Sequence, residues 1–270
     1  MTDILNHQTR CQQMGKAPAT GLSHCALAAL VVLFALPLPA ATVTLNPAAD
    51  ALVTTGPSGT LSGNNYGGAG ALAVAAAGLT QGEFQSVLKF DLAAARTSFD
   101  SQFGAGQWTI QAVTLALTAT AGSTFFNSSA AGRFGISWMQ SDFWTEGTGK
   151  PNVPTTNGIT FASLPSFASG SDESLGTFSF AGGTSGLATY TLGLTPGLVA
   201  DVSMGNPVSF RLVAADSAVS YLCYSANNPT TSVRPLLSIV AVPEPHACSL
   251  LMAAAMFLCS MRFRHRKQPG

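Results

Sequence analysis

Within nine consecutive positions, Trp138 to Glu146, the chain gathers Trp138, Asp142, Phe143, Trp144 and Glu146, its densest supply of aromatic faces and carboxylates. Flat rings stack on the C–H faces of sugars, and carboxylates beside them accept hydrogen bonds from sugar hydroxyls. On residue type, Trp144 is the candidate platform, with Asp142 or Glu146 as hydroxyl acceptors. The same residues also fit a packing role, with Trp138 in a core and Trp144 capping a loop. Tyr66, in Asn64-Asn65-Tyr66-Gly67-Gly68, admits two placements as well: a rim facing a glycan, or a plug over one end of the fold. Its neighbours are turn formers, because Asn and Gly tolerate positive φ. Asp50 is a candidate ligand for a structural Ca²⁺, an ion suited by carboxylate and backbone oxygens. Paired carboxylates for glycoside cleavage are available in principle, but no spacing singles out a pair.

What the central part of the chain lacks is as informative. All four histidines, His7, His24, His246 and His265, lie near the ends. Residues 42–242 therefore contain neither the usual general base near neutral pH nor the commonest metal ligand. A Ser-His-Asp triad or a His-based zinc site cannot be assembled there. Cys11, Cys25, Cys248 and Cys259 are also terminal, leaving Cys223 alone in the apolar stretch Val219–Tyr224. A lone cysteine forms no internal disulfide and packs as a small hydrophobe. Six bases (Lys89, Lys150, Arg96, Arg133, Arg211, Arg234) stand against ten acids in this part, giving a net charge near −4. A mildly acidic body without basic clusters repels phosphate backbones, which excludes nucleic acid as a partner.

The elements that must position these residues read as β-structure. Short runs rich in β-formers are punctuated by Gly, Asn and Pro, and Lys/Glu-rich helical faces are missing. Strands are predicted at 42–45, 51–54, 71–75, 86–91, 111–118, 133–139, 177–180, 188–192, 208–214, 219–224 and 236–240. In 111–118, Val113, Leu115 and Leu117 alternate with Thr114, Ala116 and Thr118, the pattern of a strand with one buried face. One short helix is predicted near 92–99. A second, around 194–200, is disfavoured because Pro196-Gly197 interrupts it. Many short strands without intervening helical patterns predict an all-β antiparallel sandwich or barrel.

The two ends read as addresses. An apolar core from Ala26 to Leu36, with Lys16 upstream and Ala40-Ala41 downstream, fits a secretory signal peptide cut after Ala40 or Ala41. Met14 offers an alternative start. At the other end, Val242-Pro243-Glu244-Pro245 precedes an apolar run from Ala247 to Met261, followed by Arg262, Arg264, Arg266 and Lys267. At ~1.5 Å per residue that run is a helix of roughly 22 Å, shorter than a comfortable bilayer span. A basic end of this kind stays on the cytoplasmic side. The order of tripeptide, short span and Arg-rich end resembles the PEP-CTERM sorting signal of Gram-negative bacteria. The resemblance implies transient membrane anchoring and processing by an exosortase, after signal peptidase has acted at the front. It also implies release to the cell surface or exterior, commonly in species that make exopolysaccharide.

A second resemblance concerns the body. Ala49-Asp50-Ala51, Gly63-Asn64-Asn65-Tyr66-Gly67, Ser86–Leu92 and Ala112–Leu115 occur in the order found in the opening half of DNRLRE-type domains. Phe143-Trp144-Thr145-Glu146 is similar to that family's W-x-E segment, and Arg234–Val240 to its closing strand. The stretch from Pro151 to Ser185 departs from the pattern and reads as a long loop or insertion. The resemblance implies a jelly-roll-like sandwich akin to carbohydrate-binding modules. The organisation expected is a signal peptide at 1–41, a β-sandwich at 42–241 and a sorting segment at 242–270. The function expected is that of an exported, non-catalytic surface or matrix protein associated with glycan or exopolysaccharide. A purely structural adhesion protein and a polysaccharide-degrading enzyme are the alternatives.

Overall fold

The computed structural model describes residues 39–121, 126, 129–183 and 186–244. Residues 1–38 of the expected signal peptide, Pro245, the apolar run and the basic cluster at 262–267 lie outside the described residues. Among the described residues, no helix is long and apolar enough to cross a membrane.

Among the described residues, eleven strands form two antiparallel sheets. Sheet A contains β1 (Ala41–Leu45), β11 (Leu236–Pro243), β5 (Trp108–Thr118) and β8 (Leu187–Leu192), in that order. Sheet B runs β10 (Ser220–Tyr224), β3 (Ala71–Ala75), β4 (Phe84–Asp91), β9 (Pro207–Ala214), β6 (Gly132–Met139) and β7 (Glu173–Phe180). Its seventh strand, β2 (Ala49–Thr54), pairs along β4. The all-β sandwich predicted from alternation is what forms.

The main core lies between the sheets. Sheet A contributes Val113, Leu115, Leu117, Leu237 and Ile239; sheet B contributes Leu88, Phe90, Phe134, Ile136, Phe210 and Leu212. Sheet B also buries residues on its other face. Ala51, Val53 and Val87 pack with Met139, Trp144, Ile159 and Leu164, contributed by the end of β6 and the long connection from β6 to β7. Of the stretch 151–185 that reads as a long loop or insertion, residues 151–172 belong to this connection, which covers the sheet, and residues 173–180 form strand β7. A third cluster joins Leu52, Tyr66, Ala73, Ala75 and Phe84. Central strand β4 is consequently buried on both sides, with only Lys89 and Asp91 less than fully buried.

Among the described residues, two α-helices flank the sheets, α1 (Ala93–Phe103) and α2 (Pro196–Met204). The second corrects the expectation that Pro196-Gly197 would break it. Pro196 stands at the first turn, where its missing N–H has no intrahelical partner to lose and its fixed φ suits the helix. Gly197 is needed for a different reason. A Cβ there would sit 2.5 Å from the Trp138 ring, so the helix approaches that indole through a residue without a side chain. Its amide donates to Glu173 Oε2 at 2.8 Å, which places a carboxylate at the positive end of the helix dipole.

The chain also enters and leaves the fold differently from the predicted boundaries. β1 begins at Ala41, and β11 continues through Val242 and Pro243, which pair with Thr109 and Trp108. The Glu244 amide donates to the Gln107 carbonyl at 3.0 Å. The first two residues of the expected sorting motif therefore belong to the last strand.

Candidate functional site

The nine-residue cluster spans the end of β6 and the start of the cover. Trp138, still in β6, has its ring in the main core and its Nε1–H donating to Asp201 Oδ2 at 2.7 Å. Asp201 lies on α2, so this bond fastens helix to sheet.

Trp144 is not a platform. Its indole is only 1 % exposed, packed on the outer face of sheet B with Val53, Val87 and Ile159. Its Nε1–H donates to Ser209 Oγ at 2.9 Å, and the Ser209 hydroxyl in turn bonds the Asp142 carboxylate. Lys89 Nζ stands 4.5 Å from the ring centroid and donates to the carbonyls of Asp142 (2.7 Å) and Trp144 (2.6 Å). One cation thus clamps both ends of the Asp142–Trp144 turn while resting on its aromatic face. Burial pushes the Lys89 ammonium below, and the Asp142 carboxyl above, its ordinary range. The ring faces expected to meet a sugar are covered by the protein's own residues.

Glu146 is likewise engaged internally. Its carboxylate accepts from Asn227 Nδ2 and from the Asp50 backbone amide, and burial raises its pKa. Asn227 Nδ2 donates also to the Gly67 carbonyl at 2.9 Å, so three distant segments meet at this amide. Phe143 is the exception in the cluster. Its side chain is 90 % exposed, the most open aromatic among the large exposed hydrophobics.

Tyr66 is buried at 1 % exposure within the third cluster, and Asn64 Nδ2 donates to its hydroxyl at 3.1 Å. It is a packing residue and does not face a rim. Its neighbour Asn65, read in the sequence only as a turn former, is the hub of the region. Asn65 Nδ2 donates to the carbonyls of Glu146 (2.6 Å) and Ile159 (2.8 Å), while Oδ1 accepts from the amides of Gly67 (3.2 Å) and Gly149 (3.1 Å). A Cβ on Gly149 would collide with the Asn65 carbonyl, which explains that glycine. A fully buried amide satisfied by four backbone groups cannot be replaced without stranding several of them.

Asp50 is fully buried on β2. Its Oδ2 accepts from the Ala226 amide at 2.6 Å, and its Oδ1 has no hydrogen-bond partner. Burial, reinforced by the Glu146 charge, raises its pKa to about 7. A Ca²⁺ needs about six to eight oxygens. Here the two neighbouring carboxylates already receive N–H donors, and no group of three His, Cys, Asp or Glu side chains gathers among the described residues. The donor set does not fit the expected ion; it fits a carboxyl that carries a proton.

Taken residue by residue, Asn65, Trp144 and Glu146 lock the cover to sheet B, with Trp144 on the face of Ala51, Val53 and Val87, whereas Asp50, paired with Leu88, and Tyr66, packed with Leu52 and Phe84, lie toward the opposite face. Lys89, Ser209 and Asn227 complete this lock, and sequence reasoning missed their roles. The signal available for them was weak: a Lys between the apolar residues Leu88 and Phe90, and the crowding of Gly147, Gly149 and Gly158 behind Trp144.

No protein-family model matches the chain, and no curated protein is significantly similar to it.

Proposed function

We propose that the chain is an exported, non-catalytic, jelly-roll-like surface or matrix module, associated with glycan or exopolysaccharide and sorted by an exosortase-type system. The observation that carries this reading is where the last strand stops. β11 lies in the middle of sheet A and ends at Pro243, with the Glu244 amide still bonded to Gln107. A cut beyond Glu244 would therefore leave β11 whole. The non-catalytic part of the reading is supported by how the carboxylates are spent. Asp100 holds Trp108, Asp201 holds Trp138, Asp216 holds three backbone amides, and Asp50 and Glu146 hold the turn at 226–227.

Glycan contact, on this reading, falls to Phe143, the ring of the cluster that meets solvent. Retardation of the protein in affinity electrophoresis on neutral or acidic polysaccharide is the expected result. Phe143→Ala should weaken that retardation about tenfold, the loss of one stacked ring. The substitution removes an exposed side chain and leaves the fold intact. No retardation across a broad glycan panel, or retardation indifferent to Phe143, contradicts the glycan association without touching the export reading.

A further inference from the structure

The four strands of sheet A, ATVTL, WTIQAVTLALT, LATYTL and LLSIVAVP, contain no Lys, Arg, Asp or Glu. Their inward side chains fill the core. Their outward side chains form a solvent-facing surface of hydroxyls, methyls and short aliphatics. Thr44, Ser238, Thr114 and Thr191 fall in one register row across all four strands. Thr44 and Thr191 are exposed, Ser238 and Thr114 half-buried, and Leu187 at the β8 edge is 66 % exposed. The chain as a whole is 9% charged, and the sixteen charged residues of 42–242 all lie outside these four strands. The outer face is therefore uncharged across all four strands.

We propose that this face is a homotypic contact, through which a second copy of the chain packs face to face in a two-fold dimer. Three features select that occupant. First, charge: residues 42–242 carry six bases and ten acids, none of them on these strands, so two copies with a net charge near −4 meet here without setting like charges against each other. A charged partner finds no counter-charge. Second, self-complementarity: a two-fold interface sets a surface against itself, and a hydroxyl, being donor and acceptor at once, pairs with its own kind. Rows of carboxylates or ammoniums cannot do so. Third, the aromatics: Trp108 and Tyr190 of these strands are buried in the core, so a sugar ring has no flat partner on this side. The size is adequate for a modest interface. At ~4.8 Å between strands and ~3.4 Å per residue the face measures about 19 Å by 20 Å in projection. That projection, roughly 380 Å², lies below the ~800 Å² that each partner contributes to a standard interface and suits a weak, concentration-dependent dimer. Two such sheets would stack about 10 Å apart with strands near −30°.

The inference does not depend on glycan binding. Sedimentation velocity of the exported protein, from about 1 µM to about 1 mM, should show a concentration-dependent monomer–dimer equilibrium. Thr114→Lys with Thr191→Lys, which buries like charges against each other across the two-fold axis, should weaken dimerisation at least tenfold. Thr177→Lys, an equivalent charge on exposed edge strand β7, should leave it unchanged. If the double variant loses its cooperative melt, Thr44→Glu at the exposed end of the same row takes its place. A protein that stays monomeric throughout, or a dimer insensitive to the row, overturns the proposal. So does polysaccharide retention that requires Thr114 and Thr191 in a monomer, which would give the face to a glycan.

Discussion

Replacing Trp144 by alanine is expected to destabilise the domain by about 3–5 kcal/mol, the cost of removing a large buried aromatic. Three losses combine. The cavity opens between the cover and sheet B, where Val53, Val87 and Ile159 surround the ring. The Ser209 hydroxyl, fully buried, loses the Nε1–H donor that it accepts at 2.9 Å. Lys89 loses the aromatic face on which its ammonium rests at 4.5 Å, although its bonds to the Asp142 and Trp144 carbonyls survive. For a body of this size the melting temperature should fall by roughly 10 °C or more. Trp144→Phe separates the contributions, since it keeps most of the packing and loses only the hydrogen bond, at about 1 kcal/mol. A Trp144→Ala protein that melts like the parent would show that the ring is not part of the core. For the same reason, loss of glycan retention in Trp144→Ala would report unfolding, and Phe143 is the residue whose removal is informative.

The second large effect is a pH dependence with an uncommon sign. Asp50 has its pKa raised from 3.8 to about 7, first by burial and then by the Glu146 charge, against the favourable Ala226 and Ser225 hydrogen bonds and the Arg234 charge. Cys223 on β10 also faces it, and its thiol is pushed up by burial and by the Asp50 charge, so it stays neutral. The folded state therefore holds the Asp50 proton more tightly than the unfolded chain does. Native stability is greatest below the unfolded value, declines as pH rises from about 4 to about 7, and stays reduced above that. The three-unit difference corresponds to about 4 kcal/mol at most. Glu146, Asp142 and Asp201, whose pKa values burial also raises, add to the decline with the same sign. Urea midpoints should accordingly fall between pH 5 and pH 8. Asp50→Asn keeps an oxygen for the Ala226 amide and removes the titration. Its midpoint should vary less over the same range and exceed the parent's at pH 8. A parent protein equally stable at both pH values, or an Asn variant weaker than the parent at pH 8, contradicts the buried-proton account.

Both effects arise from residues that look, in the sequence, like a binding site. The strands were legible because Val113, Leu115 and Leu117 alternate with small polar residues, and because Gly, Asn and Pro punctuate the runs. β7 was only half legible. Gly176, at φ +140°, and the register shift at Ile136/Ser137 interrupt its alternation, which hides the segment from Glu173. α2 was misread because proline breaks a helix interior but suits its first turn. The roles of Trp144, Tyr66 and Glu146 depend on a long-range event, the folding of the β6–β7 connection over sheet B. Aromatic rings beside carboxylates serve sugar binding and loop anchoring equally well, so residue type does not distinguish them; burial does. Asn65 shows the same limit, since a turn-forming Asn and a hub satisfying four backbone groups carry the same letter.

Mass spectrometry of the intact protein recovered from outside the producing cells tests the central claim most directly. The account predicts an N-terminus at Ala41 or Thr42. It predicts a C-terminus at or beyond Glu244 but before the apolar run that begins at Ala247, leaving β11 whole and His246, Cys248 and the basic end absent or nearly so. Recovery of a chain that still carries residues 247–270, or its confinement to the cell interior, would contradict export and sorting. A C-terminus upstream of Pro243 would contradict the placement of the motif at the end of the last strand.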